Sequence, residues 1–522
     1  MKRYLIIALA ALSFAACAEK INDGMSPEQT GELEQSFIAI NLMSSELDTR
    51  VNTDTPSLED GDAAERVVKT VHFFFYRQGA PFAVNAAGNA PGGGRNWLQA
   101  TNPTFTEDLD KDNISAYSNV MLVLNNYKGQ YPDQIVAVIN WNPAKDVYTL
   151  ADLRTTLSQL QGNDNGFVMS NSVYKSGESV IDATPISGTY ETAALAEQNP
   201  IDIYVERIAA KVVFTAEQSG KFNVGKEVSG TPVYAQITGF ELYNDYQESY
   251  LVKRIDPSWS GIGFNWNEPE WFRSYWSESI TDPFVSNEFR YDAVRPGINE
   301  WVYCGENTNR TEEDRTKVII TAQLQDAGGN ALEIANWYGN DYIGEDALLT
   351  VVSNTLKNTY YYSDGANYIG IEPEDLKCTT RPVSTPNAYE VYFQLSEEAG
   401  VGADRTWYEK NSAGSYNPVT DADLDLKLEE VQPALVYKNG QTYYYTDIKH
   451  LGAPGSTAEY GVVRNHVYNV KITDISGYGT PVYDPDMDFI VPEKPLDEVV
   501  TYVAAQINIL SWRMVEHDYP LD

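Results

Sequence analysis

The stretch "SFIAINLM" (residues 36–43) alternates: Ile38, Ile40 and Leu42 fall on one side, Phe37, Ala39, Asn41 and Met43 on the other. That period of two predicts a strand buried on at least one face. It is followed by "SSELDTRVNTDTPSLEDGDAAER" (44–66), rich in Ser, Thr, Asp, Gly and Ala, and then by a strongly β-prone run, "VVKTVHFFFY" (67–76). Two sheet-ready segments are thus joined by an acidic, flexible spacer. It carries a bare arginine, Arg50, directly behind the first strand. The rest of the chain has to explain why.

At 522 residues, two or three domains are expected rather than one core. Thirty-six tyrosines, ten tryptophans and many Val/Ile/Thr pairs lean towards sheet. A net charge of −37 argues against nucleic acid as a partner, because a phosphate backbone would be repelled. The acidity is spread along the chain, as on a solvated surface kept soluble by like charge.

The first seventeen residues, "MKRYLIIALAALSFAAC", read as a targeting element, with a basic start (Lys2, Arg3), a short apolar run and small Ala15 and Ala16 before Cys17. A cysteine in that place resembles a bacterial lipobox, in which the thiol becomes acylated; Phe14 departs from the usual Leu. An ordinary secretory signal cut nearby is the alternative. Either way the protein leaves the cytoplasm. Cys304 and Cys378 lack metal-type spacing. They stand as two buried free thiols or, in an oxidising compartment, as a disulfide.

Along the chain, "QIVAVINW" reads as a short central strand and "TLADLRTTLSQLQG" as a helix capped by Thr149 and ended by Gly162, with Leu153, Leu157 and Leu160 on one face. "IDIYVERIAAKVVF" (201–214) reads as one long strand between two halves. "KVIITAQLQDAGGNALEIANWY" reads as a hairpin turning at Asp326 to Asn330. "GEDALLTVVSNTLK" gathers Leu348, Val351, Val352, Thr355 and Leu356 on one helical face. Strands outnumber helices. The expectation is a mainly β protein of two β-sandwich-like domains with a few short helices.

Motifs of chemistry are sparse. The four histidines, at 72, 450, 466 and 517, form no HExxH, and no GxSxG or Walker A run is present. No cofactor is expected. Asp484, Asp486 and Asp488 alternate in "YDPDMD", as do Asp421, Asp423 and Asp425 in "TDADLDLKL", but neither run has the glycine or terminal Glu of a calcium loop. They read as weak metal candidates beside polar-loop or strand-face readings. "WSGIGFNWNEPEWFRSYW" places Trp259, Trp266, Trp271 and Trp276 together, either as a sugar-stacking platform or as a loop packed by its own aromatics.

"VERIAAKVVF", the "TR" behind the N-terminal strand, and above all "YYYTDIKHLG", "YGVVRNHVYNVKITDISGYGTPVYDP" and "TYVAAQINILSWRMV" resemble the fimbrillin family of Bacteroidales type V pili, closest to the stalk subunit of the short fimbriae. The resemblance is densest from about residue 440 onward. It implies transthyretin-like sandwiches in this order: a lipoprotein signal over 1–17, a propeptide with a removable strand over 18–50, an N-terminal sandwich over 51–207, a C-terminal sandwich over 208–512 and a donor strand over 513–522.

In that family an arginine-specific surface protease cuts behind the first strand, the strand leaves, and a neighbour's C-terminal strand fills the groove. The resemblance therefore places the cut between Arg50 and Val51, with Arg66 as second candidate. Ile38, Ile40 and Leu42 would mark the removable strand and Val515, His517, Tyr519 and Leu521 the donor. Implied partners are further copies of the chain head to tail, anchor and tip subunits, the protease, the outer membrane through the lipid before cleavage, and a host or bacterial receptor. The implied place is a cell-surface fimbria, reached through the periplasm. A surface glycan-binding lipoprotein, or an anchor or tip subunit, is the alternative.

Overall fold

In the computed structural model, the described residues are 33–43, 61–84, 94–101, 103–107, 116–127, 130–162, 166–176, 179–255, 277–280, 289–308, 311–380, 390–400, 405–450, 455, 459–484, 489–490, 502–510 and 514–515. They form a mainly β protein of several curled sheets around three packed cores.

The first core lies on a ten-stranded sheet. Its main members are β1 (Leu33–Met43), β2 (Thr70–Arg77), β3 (Ala116–Tyr127), β4 (Gln134–Ile139), β5 (Met169–Asn171) and β6 (Ile201–Arg207), hydrogen-bonded in the order β2-β4-β5-β6-β1-β3 with short strands at the margins. Phe73, Phe74 and Phe75 are consecutive in β2 and all fully buried, so both faces of this strand are covered.

The second core fills a sandwich. One sheet runs β10 (Glu300–Cys304), β7 (Ala210–Ala216), β13 (Val467–Ser476), β14 (Tyr502–Leu510), β15 (Met514–Val515). The other runs β8 (Lys221–Val228), β9 (Thr231–Tyr243), β11 (Lys317–Gln325), β12 (Gln441–Asp447), with Thr480–Pro481 beyond it. Tyr444 of β12 points into this core, while Tyr443 is buried on the opposite face against Ile319 and Val482. The tyrosine run is covered on both sides.

The third core sits between β11 and β12 in the chain. A five-stranded sheet, centred on Ala434–Tyr437, is covered by the helices Gly344–Leu356 and Asp421–Leu428, and a four-stranded antiparallel sheet lies beside it. The sequence reading did not separate this unit from the second sandwich.

Four local expectations change. The helix begins at its Thr149 cap, whose hydroxyl accepts from Asp152 N at 3.0 Å, but ends at Thr155. Leu157–Gln159 is a strand instead, paired with Glu248–Tyr250. Residues 201–214 break at Ile208–Ala209, so that β6 completes the first sheet and β7 the second. The turn at Asp326–Asn330 forms, with Asp326 N donating to Asn330 O at 3.0 Å. Beyond it the chain leaves β11, which pairs with β9 and β12, and Ile334–Trp337 joins the third unit. The alternating Asp421, Asp423 and Asp425 lie on a helix, not a loop or strand: Thr420 caps it, and Leu424 and Leu428 are fully buried while Leu426 is 62% exposed.

Candidate functional site

The position of β1 is unusual for the first strand described. It is interior to its sheet. On one side it pairs antiparallel with β3 over its whole length, from Leu33 opposite Tyr127 to Met43 opposite Tyr117. On the other side its second half pairs parallel with β6, from Ile40 opposite Ile201 to Met43 opposite Tyr204. Its first half is closed by Tyr190: Phe37 N donates to Tyr190 O at 2.7 Å and Tyr190 N returns a bond to Phe37 O at 3.0 Å. Both edges of the strand are therefore used.

The alternation expected from sequence decides which side chains are buried. Ile38 and Ile40 are each 1% exposed and Leu42 0%, packed in the first core with Leu122, Leu124, Ile203 and Val205. Phe37 and Asn41 are half-buried on the other face, where Asn41 Nδ2 donates to Asp202 Oδ1 at 2.8 Å. Burying Ile38, Ile40 and Leu42 contributes about 1.5–3 kcal/mol each, an upper range because an unfolded chain already hides part of this surface. Without β1, that area and two rows of backbone N–H and C=O groups on β3 and β6 would be exposed. The arrangement is a strand-shaped seat whose occupant holds the sheet together.

The C-terminal strands stand at the far margin of the second sandwich. β14 pairs antiparallel with β13 from Tyr502 opposite Ser476 to Leu510 opposite Val467, with a register shift between Ile472 and Asp474. β15 folds back on it, Val515 opposite Ile509 and Met514 opposite Leu510. Of the expected donor residues, Val515 is in this two-residue pairing; His517, Tyr519 and Leu521 lie outside the described residues, as do Cys17, Arg50, Val51 and the tryptophans at 259, 266, 271 and 276.

The remaining candidates fall apart in space. Cys304 is buried in the second core and Cys378 is half-buried against the third; both are free thiols, and burial pushes each well up from the ordinary thiol value. Asp484 is half-buried, and Asp486 and Asp488 lie outside the described residues. Among the described residues no group of three or more His, Cys, Asp or Glu is gathered to hold a metal ion, and no helix is long and apolar enough to cross a membrane.

Sequence reasoning missed the buried charges at the junction of the first two cores. Arg464, fully buried, meets Glu306 at 2.6 Å and donates through Nη2 to Tyr250 O at 2.6 Å. Burial alone would raise the Glu306 carboxyl; Arg464 and Lys253 outweigh it and hold it below the usual range. Lys253 and Glu206, with no exposed side-chain surface, lie 3.3 Å apart. Charge at widely separated sequence positions carries no local pattern that would have paired them.

Residues 435–518 match the family described as "Major fimbrial subunit protein type IV, Fimbrillin, C-terminal". No curated protein matches the chain. Among solved structures it is similar to a Parabacteroides distasonis protein named for cell adhesion (12% identity, 91% of this chain and 97% of that one, TM-score 0.37). A fimbrilin of Porphyromonas gingivalis is similar at 12% identity over 92% and 98% of the chains (TM-score 0.32), and the tip fimbrial protein Mfa3 of Porphyromonas gingivalis at 11% over 92% and 100% (TM-score 0.29). Scores this low leave the architecture to be read from the chain's own sheets. The segment 435–518, which holds β12, β13, β14 and β15, is thus a C-terminal segment of the fimbrillin type.

Proposed function

We propose that this protein is a structural shaft subunit of a cell-surface fimbria and does not act as an enzyme. It is exported as a lipoprotein acylated at Cys17, cut after Arg50 by an arginine-specific surface protease, and polymerised head to tail by strand replacement, with anchor and tip subunits as further partners. The reading is supported by one observation above the rest: the earliest strand among the described residues is interior to its sheet and supplies Ile38, Ile40 and Leu42 to the core. A strand so placed cannot leave unless another takes over its backbone bonds and apolar contacts. The C-terminal segment around Val515, His517, Tyr519 and Leu521 is the proposed replacement. Its alternation matches a half-buried strand, and among the described residues Val515 pairs with Ile509 and Met514 with Leu510 at the margin of the sheet.

The test is limited digestion of the purified full chain with an arginine-specific protease, followed by N-terminal sequencing and electron microscopy. A product starting at Val51 and filaments only after the cut are expected. Filaments that retain residues 18–50, or a cut product that stays monomeric, would contradict the proposal.

A further inference from the structure

Residues 61–66, the downstream end of the spacer, are fastened more tightly than a processing segment requires. The single turn Ala63–Arg66 places Glu65 at 1% exposure. Its Oε1 accepts from Lys211 Nζ at 2.7 Å and from the Tyr303 hydroxyl, and its Oε2 accepts from Asp62 N at 2.9 Å. Its backbone carbonyl accepts from Arg207 Nε at 2.9 Å. Lys211 lies on β7, Tyr303 on β10 and Arg207 at the end of β6, so this one residue is bound to both sheets that meet at the junction.

The bond after Arg66 is held from the other side too. Asn140 Nδ2 donates to Val67 O at 2.7 Å, and Asn140 Oδ1 accepts from Lys69 N at 2.8 Å. The Arg66 guanidinium turns back onto Gly61 O through Nη1. A protease takes its substrate as an open, extended segment. Cleavage after Arg66 would therefore need Glu65, Arg66 and Val67 all to leave their partners, and the cutting rate would follow the small population in which they have done so.

We propose that Glu65 is a latch that sets the downstream limit of processing: its clamp on Lys211, Tyr303 and Arg207 keeps the Arg66–Val67 bond closed to the protease that opens the spacer upstream. This deepens the reading of cleavage after Arg50 and rests on it for its biological setting. The same clamp fixes the root of the new N-terminal segment, so that departure of β1 does not loosen the chain into β2.

The experiment uses the full chain and a time course of digestion by an arginine-specific protease, read by intact mass and N-terminal sequencing. The unmodified chain should give no product beginning at Val67. Glu65→Ala should open that site, its appearance rising about tenfold or more as charge-assisted bonds are lost. Tyr303→Phe, which removes one of those bonds and leaves the ring, should open it to a smaller extent and covers the case in which Glu65→Ala does not fold. A Val67 product from the unmodified chain as fast as the Val51 product would overturn the latch, and so would both variants staying folded and uncut at Arg66. Absence of cutting at Arg50, with Arg66 closed in the unmodified chain and opened by Glu65→Ala, would uphold the latch while removing the processing reading.

Discussion

Ile40 stands in parallel register with Ile201, and both side chains are buried in the same core. Since Val120 faces Ile40 from the other side, the first strand is enclosed between strands that come later in the chain. Truncating Ile40 to Ala should cost the uncut chain about 2–5 kcal/mol by leaving a cavity. Once β1 has been released and replaced, the same substitution should cost nothing. Urea unfolding of the precursor, set beside the thermal stability of filaments, measures both. Equal destabilisation of the two forms would mean that β1 stays.

The Glu306–Arg464 pair makes a different prediction. Arg464→Met leaves a buried carboxylate without its partner and should lower stability by about 3–5 kcal/mol. The double variant Glu306→Leu with Arg464→Met should recover much of that loss, because an apolar pair of similar bulk removes the stranded charge. Unfolding midpoints at constant slope give the comparison.

His72, 1% exposed on β2 and edge-on to Trp97 with ring centres 5.1 Å apart, has its pKa pushed down by burial from 6.5 to about 4. Between those values the unfolded chain binds a proton that the folded chain refuses. Stability from this residue is therefore complete above pH 6.5, declines as pH falls towards 4, and levels off below. Replacing it by Phe should shrink the stability difference between pH 7 and pH 4.5, measured by urea unfolding at each pH. An unchanged difference would contradict the assignment.

Gly479, with φ +78°, lies within the matched family segment. A Cβ there would meet Thr442 Oγ1 at 2.4 Å and Tyr443 O at 2.8 Å. Gly479→Ala should cost about 1–3 kcal/mol from backbone strain, with any shift of β12 adding to it. The thermal midpoint of the variant checks this.

How much of this was legible beforehand depended on the range of the interaction. Ile38, Ile40 and Leu42 were readable because period-two burial is written in adjacent residues, and Thr149 because a cap acts on the next turn. The run at 421–428 misled because its alternate aspartates, Asp421, Asp423 and Asp425, fit a polar loop or a strand face; the buried pair is Leu424 and Leu428, one helical turn apart, and Leu426 faces outward. The break at Ile208–Ala209 was hidden because both sides are equally β-prone. It is fixed by long-range bonds, Ile208 N to Val168 O at 3.0 Å and Asn465 N to Ala209 O at 2.7 Å. The Glu65 clamp spans 146 residues to Lys211 and 238 to Tyr303, beyond any local pattern.

Strand replacement is the central claim, and shortening the chain tests it most directly. The full chain and a version ending at Trp512, both cut after Arg50, are compared by electron microscopy for filaments. Only the full chain should assemble if, as proposed, residues 513–522 carry the segment that takes the place of β1. Normal filaments from the shortened chain would contradict the account.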